Sequence, residues 1–337
     1  MENKSANNIK YISCSNPLSD MVDICKYYPI TKSFQNKQNE NVPSFEQYFP
    51  KYFSFIKDIE NIFVHYLQYK YDSTLTLDRL IRNCVEEHLI LYEDELNTFI
   101  GDCYVTLTLL TKRHTNIFFH LAYKYINSSS STLSDYERNI LYWTILFHDL
   151  GKHQKMNPYI HEDFTNTPLD KTHPFKSVII FIKTLLNNKL IPFNNNNDEF
   201  ISKYEAFCDC LYKSYKMEEI NVSLTKYNLS FIYIDNIIEF LDYLKQWTWI
   251  YEVVILILFH QSLPNNEECM NYPLLPNEYV CKLFDCRMLE LMRIVMVYDS
   301  CSHSLFKGGN WVNEINKQLD KVRTMLQVNN NEKVYNM

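Results

Sequence analysis

Two adjacent ionisable residues, His148 and Asp149, end an apolar helical pattern in the stretch LYWTILFHDLGKH, residues 141–153. Ile145 and Leu141 stand three and seven positions before His148, so its side chain shares a helical face with apolar side chains. A carboxylate such as that of Asp149 is almost never fully buried unless it is paired or bound to a metal ion. The pair is therefore either a satisfied histidine beside a capping aspartate or part of a metal site.

Four more histidine or aspartate residues stand at the ends or on the apolar faces of predicted helices. They are His114, His173, His260 and Asp299. Each of these alone is more often a satisfied core or helix-terminal residue than a ligand. Burial of all six side chains without partners would cost on the order of several kcal/mol for each. One or two divalent ions held in common would satisfy them all, and imidazole and carboxylate donors suit Mn, Fe, Ni, Co or Zn.

The first histidine of this set has an alternative in the same predicted helix, His120. Ile117 and Phe118 follow His114 at three and four positions, whereas Lys124 follows His120 at four. Periodicity therefore favours His114 as the ligand and leaves His120 open.

The elements that must position these residues are predicted to be helices. Four glycines and eleven prolines in 337 residues leave few sites for hairpins, and a hydrophobic fraction of 46% is enough for a sizeable core. Apolar spacing predicts helices from residue 44 onward, then over 78–96, 100–111, 114–127 and 135–149, from about 174, twice within 195–247, and over 248–262, 277–304 and 311–327.

The chain is expected to form one helical domain with two additions. Residues 1–44 are polar and irregular and are predicted to be an N-terminal arm, whereas residues 45–330 form the domain. Its core is expected over about 100–305, with a helical cap insertion over about 195–247. The tyrosines of that insertion either shape a ligand pocket or belong to the core.

Composition argues against several classes of function. A net charge of -7 without a block of Lys or Arg argues against an extended nucleic-acid surface, although it is compatible with a small phosphorylated ligand. Ten cysteines without paired CxxC spacing indicate reduced thiols rather than disulfides or a zinc knuckle. No stretch has the pattern of a signal peptide or the length of a membrane span, so we expect a cytoplasmic protein without membrane association.

The order of the six residues resembles the H…HD…H…H…D pattern of the HD-domain metal-dependent phosphohydrolase superfamily. The stretch ILFHDLGKH is close to the HD-x-GK signature of that family, and HTNIFFHLA is similar to its first-histidine helix. HPFKSV and IVMVYDS resemble the surroundings of its third histidine and closing aspartate. The resemblance covers roughly residues 100–305 and implies an all-α HD-domain helical bundle, to which the cap insertion and the polar arm are additions.

The resemblance also implies how the site would work. Asp149 would bridge two ions, and the remaining ligands would divide between them. The first ion would be held by His114, His148, Asp149 and Asp299, and the second by Asp149, His173 and His260. Ions placed in this way lower the pKa of a bridging water, so that hydroxide can attack phosphorus.

Three further residues would act on the substrate in this reading. Lys152 would steady a phosphate oxygen, which gives Lys152, like Asp149, a catalytic role. His153 and His161 would contact the substrate or donate a proton to the leaving group, although loop histidines are equally typical of a protein surface.

The predicted function is metal-dependent hydrolysis of a phosphomonoester or phosphodiester bond, with a nucleotide as the expected substrate. One alternative is a di-iron oxygenase of the same fold with the same six ligands. Another is a nucleotide-sensing binding module without turnover. The short stretch between Asp149 and His173 favours hydrolysis, because the inositol-oxidising relatives have a longer insertion there.

Overall fold

The computed structural model describes residues 42–70, 74–101, 109–128, 131–152, 173–191, 197–220, 234–264, 275–307 and 312–335. Within these ranges every regular element is helical, which confirms the predicted all-α class. Residues 1–41 of the predicted N-terminal arm lie outside the described residues. Over the described ranges, no helix combines the length and the apolar character that crossing a membrane requires.

The helices are numbered here in chain order, with two 3-10 segments named by their residues. They are α1 (Phe45–Tyr48), α2 (Pro50–Lys70), α3 (Leu77–Leu89), the 3-10 turn Ile90–Tyr92, α4 (Glu93–Ile100), α5 (Leu109–Ile126), α6 (Asp135–Phe147), the 3-10 turn Leu150–Lys152, α7 (His173–Asn187), α8 (Asn197–Ile220), α9 (Ile234–Leu244), α10 (Thr248–Phe259), α11 (Asn277–Leu283), α12 (Cys286–Lys307) and α13 (Val312–Tyr335).

Helix α6 lies at the centre of the packing and contacts α5, α7, α10 and α12. Its Trp143 is fully buried, and its ring contacts those of Phe45, Phe49, Phe181 and Trp249. Large aromatic side chains contribute much of the apolar area that a core removes from water. This core fixes α6, and with it the segment that follows α6, against its neighbours.

The start and end of α6 are well defined. At the start, the Ser134 hydroxyl accepts from the backbone N–H of Glu137, and the Glu137 carboxylate accepts from the backbone N–H of Ser134. This reciprocal capping satisfies donors that the first helical turn otherwise leaves unpaired. At the end, the backbone N–H of His148 still bonds to Thr144, and the 3-10 turn Leu150–Lys152 then redirects the chain. His148 and Asp149 therefore lie where α6 gives way to a tighter turn.

Several predicted helix limits were wrong. The predicted helix 78–96 is divided into α3, a 3-10 turn and α4, and α4 ends at Ile100, before Gly101, whose φ of 83° favours glycine. The predicted helix over 100–111 is therefore wrong at its start, and residues 102–108 lie outside the described residues. The helix that carries His114 begins at Leu109, so His114 is an interior residue rather than the first one.

The last two predicted helices also differ from the structure. The predicted helix 277–304 is interrupted at Phe284, which is extended, and Asp285 then caps α12 by accepting from the backbone N–H of Met288. The final helix continues to Tyr335 rather than ending at residue 327.

Two helices, α8 and α9, cover the described part of residues 195–247, as the amphipathic pattern predicts. They pack against each other, and the buried rings of Phe207 and Phe240 stack with centroids 4.6 Å apart. Residues 221–233 between them lie outside the described residues. The role of this pair as a cap over a ligand site stays a prediction.

Candidate metal centre

The six histidine and aspartate residues singled out in the sequence converge on one buried place. They form two groups that share Asp149, the first being His114, His148, Asp149 and Asp299 and the second Asp149, His173 and His260. Within each group the potential ligand atoms all lie within 4.8 Å of one another. Side chains from α5, α7 and α12 and from the ends of α6 and α10 therefore meet at a single cluster.

Asp149 lies between the two groups, with one carboxylate oxygen facing each. Its Oδ2 is 3.5 Å from His114 Nε2 and 3.4 Å from His148 Nε2. Its Oδ1 is 3.1 Å from His173 Nε2 and 3.6 Å from His260 Nε2. A carboxylate in this position can offer one oxygen to a cation in either group.

Asp299 closes the first group from α12. Its Oδ1 is 3.4 Å from His148 Nε2 and 2.6 Å from His114 Nε2. The shorter distance is that of a hydrogen bond, so a proton can join these two atoms when no metal ion does.

The neighbours of the imidazole rings select the tautomer that a metal needs. Nδ1 of His148 lies 2.7 Å from the carbonyl oxygen of Ile145, and Nδ1 of His260 lies 2.7 Å from that of Ile257. Because a carbonyl oxygen only accepts, Nδ1 carries the hydrogen in both rings. A neutral ring then presents Nε2 as a bare donor atom to the cluster.

His114 is oriented through Ser302. The Ser302 hydroxyl donates to the backbone carbonyl of Asp299 and lies 2.7 Å from His114 Nδ1, from which it can accept. This arrangement again leaves Nε2 of His114 to face the cluster. Such outer hydrogen bonds fix the ring orientation of metal-binding histidines.

These residues fit one or two divalent cations. Nε2 of His148 and Oδ1 of Asp149 are buried and make no well-aligned hydrogen bond, although His173 Nε2 lies 3.1 Å from that oxygen, and such burial is costly unless a cation satisfies these atoms. Metal–ligand bonds of about 2.1 Å at roughly tetrahedral or octahedral angles place neighbouring donor atoms about 3.0–3.4 Å apart. Most of the distances within the cluster lie at or slightly above that range, so a cation would need only small shifts.

The charges of the cluster also suit a cation. Burial raises the pKa of Asp149 and Asp299, but the neighbouring His148 and His114 hold both values well below the usual range. Burial, assisted by the charge of Lys152, lowers the pKa of His173 to about 4. Although burial opposes it, the charges of Asp149 and Asp299 raise the pKa of His148 to about 9. A metal ion therefore has to displace a proton from His148, which makes its binding pH-dependent.

Lys152 lies at an edge of the cluster. Its Nζ is 2.7 Å from Asp149 Oδ2, the oxygen that faces the first group. The side chain of Lys152 is 26% exposed, whereas that of Asp149 is 1% exposed. Lys152 can therefore reach both the cluster and a ligand arriving from solvent.

Gly151 allows the HD-bearing turn to sit directly against α7. A Cβ at this position would lie 2.1 Å from the carbonyl oxygen of His173 and 2.7 Å from the backbone nitrogen of Ser177. The backbone N–H of Gly151 donates to the Ser177 hydroxyl, which donates in turn to the carbonyl of His148. This contact links His148 and Asp149 to the helix that begins with His173.

The remaining predicted residues lie elsewhere. His120, the alternative first ligand, is outside both groups; its Nδ1 donates to the carbonyl of Ile56, and its Nε2 is 4.0 Å from Glu60. His153 and His161 lie outside the described residues.

Sequence reasoning missed three residues that support the cluster, Ser177, Ser302 and His303. His303 follows Asp299 by four positions, and its ring stacks on that of His114. Ser177 likewise follows His173 by four positions. The available sequence signal was therefore a polar residue one helical turn beyond a predicted ligand, because residues at this spacing share a helical face.

Comparison of the chain with protein-family models, with curated proteins and with solved structures gives no match.

Proposed function

We propose that the chain is a metal-dependent phosphohydrolase of HD type that cleaves a phosphomonoester or phosphodiester bond, with a nucleotide as its substrate. The observation that carries this proposal is the shared carboxylate of Asp149, which turns one oxygen to each of two groups of neutral or tautomer-fixed histidines. The sequence pattern HD-x-GK, with Lys152 at the edge of the cluster, supports a phosphate-bearing substrate.

The first group of four residues and the second group of three would each hold one ion, drawn from Mn, Fe, Ni, Co or Zn. When bound, such a pair of ions offsets phosphate charge and lowers the pKa of a shared water toward neutrality.

The chain's own residues supply orientation and charge. Asp149 fixes the separation of the two groups, and its low pKa keeps it ionised at neutral pH. Lys152 provides an ammonium group that can bind a phosphoryl oxygen while it remains close to Asp149. The buried surroundings of His148 limit the access of bulk water from the core side. His153 and His161 are proposed as substrate contacts from the sequence alone.

The experiment that tests this function begins with metal analysis of the purified protein. The metal-loaded protein is then assayed for phosphate release from phosphomonoesters and for cleavage of phosphodiesters, including cyclic and dinucleotide substrates. Hydrolysis that a chelator abolishes and added metal restores would support the proposal. Oxygen uptake by the ferrous protein without phosphate release would overturn it in favour of oxygenation. Stabilisation by a nucleotide without turnover would instead indicate a sensing module.

Lys152→Ala separates substrate binding from metal binding in the same assay. Because Lys152 is an edge residue rather than a member of either group, the variant should keep its metal content. Loss of one charge-assisted phosphate contact should lower kcat/KM by about ten- to a hundredfold. An unchanged rate would remove Lys152 from the proposed mechanism.

A further inference from the structure

A further histidine, His303, lies against the cluster without belonging to either group. Its ring stacks on that of His114, with centroids 3.7 Å apart and planes 19° apart. Its Nε2 is 3.9 Å from Asp299 Oδ1, which is beyond hydrogen-bond distance. The stacked ring is thus held in orientation by packing, and its N–H group is not used by Asp299.

Exposure of the side chains around the cluster is uneven. The side chains of His173 and His260, in the second group, are 1% and 0% exposed. The side chains of His303 and Lys152 are 35% and 26% exposed, and both lie beside the first group. Lys152 and His303 are therefore two partly exposed polar side chains beside the first group, where a ligand arriving from solvent can meet them.

We propose that His303 binds the phosphoryl group of the substrate together with Lys152. The imidazole N–H would donate to a phosphoryl oxygen, and the Lys152 ammonium would bind another. Stacking on His114 restrains the donor before the substrate arrives, which reduces the entropy lost on binding. This inference rests on the proposed function, since it assumes that the bound anion is a phosphate ester.

A purely structural role for His303 makes a different prediction. If the His303 ring only supported His114, any flat aromatic ring could replace it, and loss of the ring would weaken metal binding. If it binds phosphate, the nitrogen atoms matter and the metal content does not. Two substitutions distinguish these roles, because His303→Phe keeps an aromatic ring without N–H groups and His303→Gln keeps an N–H donor without the ring.

The experiment measures the affinity of the metal-loaded protein for inorganic phosphate by calorimetry, with the metal content of each variant determined in parallel. We expect His303→Phe to keep its metal and to lose about ten- to a hundredfold in phosphate affinity. We expect His303→Gln to keep its metal and to lose less affinity than the Phe variant does. The control is His65→Phe on α2, since His65 is exposed and belongs to neither group; it should bind phosphate as the wild type does.

Three results would overturn the role of His303. These are wild-type phosphate affinity in His303→Phe, loss of metal from both variants, and absence of phosphate binding by the metal-loaded wild type. Failure of the proposed function is seen separately, in the ester assays. A protein that hydrolyses no ester but binds phosphate through His303 would support the phosphate site and contradict the proposed hydrolase activity. Active hydrolysis with unchanged phosphate affinity in His303→Phe would support the hydrolase activity and contradict the phosphate-binding role of His303.

Discussion

Two sets of buried ionisable side chains share the helices α6, α10 and α12, with the second set drawing also on α5 and α7, and the two sets differ in how their charges are satisfied. In the first set, Arg287 donates from Nε to Glu137 at 2.9 Å and from its two terminal nitrogens to Glu252 at 2.8 and 3.1 Å. In the second set, His148 Nε2 and Asp149 Oδ1 are buried and make no well-aligned hydrogen bond. Protein groups complete the first set, whereas the second leaves buried donor atoms that a metal ion could satisfy. The difference shows that convergence of unsatisfied donor atoms indicates a site, and that buried charge alone does not.

The two sets are connected through the helices that carry them. Helix α6 carries Glu137 in its first turn and leads to His148, and α10 carries Glu252 and leads to His260. Helix α12 carries both Arg287 and Asp299, roughly 18 Å apart at about 1.5 Å per residue. The Arg287 network therefore holds together three helices that lead to or carry His148, His260 and Asp299, which are part of the cluster.

The largest effect should follow from Asp149→Ala, which removes the only carboxylate shared by both groups. We expect loss of bound metal and of hydrolysis to background, because neither group keeps its full set of ligands. Metal analysis and thermal unfolding with and without added metal will measure this. Metal at about a hundred times its Kd should stabilise the wild type by about 2.7 kcal/mol and leave the variant unchanged.

The matched control for Asp149→Ala is Asp58→Ala, since Asp58 is an exposed aspartate on α2. It should keep both metal and activity. Undiminished hydrolysis in the Asp149 variant would contradict the bridging role, and with it the contrast between the two buried sets.

The next largest effect is expected from Arg287→Leu, which leaves the carboxylates of Glu137 and Glu252 buried without their cation. Breaking a buried ion pair from one side typically costs about 3–5 kcal/mol, so the free energy of unfolding should fall by that order. Urea unfolding will measure it. The increase in stability on adding metal should persist in the folded variant.

A triple replacement sharpens this test. Arg287→Met combined with Glu137→Gln and Glu252→Gln removes all three charges together, and its stability should lie closer to that of the wild type. If Arg287→Leu were as stable as the wild type, the Arg287 network would not be what holds the three helices together.

The sequence predicts the cluster better than it predicts the network. His148, Asp149 and Asp299 stand on apolar helical faces, and this period-3.6 pattern is local, so it can be read without knowing the fold. Arg287 meets partners 35 and 150 residues away, and no local pattern marks such pairs. Helix limits were missed because the signals that start and end a helix are short and weak. Asp285, for example, caps the start of α12 with one side-chain hydrogen bond inside a stretch predicted as a single helix.

A smaller effect should follow from Gly151→Ala. The added methyl group would meet the carbonyl of His173 and the backbone nitrogen of Ser177, neither of which can swing aside. Overpacking of this kind costs about 1–3 kcal/mol, and relief of the clash would move Asp149 away from His173. We expect lower thermal stability together with weaker metal binding, measured by metal titration.

The comparison substitution for Gly151→Ala is Ser177→Ala, which removes the same link between the turn and α7 without adding volume. It should weaken metal binding less than the glycine variant does. Equal metal affinity in Gly151→Ala and the wild type would show that the turn tolerates displacement from α7.

The smallest effect is expected from Ser302→Ala, because Ser302 belongs to neither group and acts through His114. Its hydroxyl lies 2.7 Å from His114 Nδ1 and donates to the carbonyl of Asp299, so it orients one ligand by its ring and another by its backbone. Loss of such an outer hydrogen bond typically lowers metal affinity by about ten- to a hundredfold. Since Ser302 has no contact with the second group, metal titration should show weaker binding of the ion at the first group and unchanged binding of the ion at the second.

Ser54→Ala, at an exposed position on α2, is the control for Ser302→Ala and should alter the binding of neither ion. Equal weakening of both ions would mean that Asp149 transmits the disturbance, and the two groups would then have to be treated as one site.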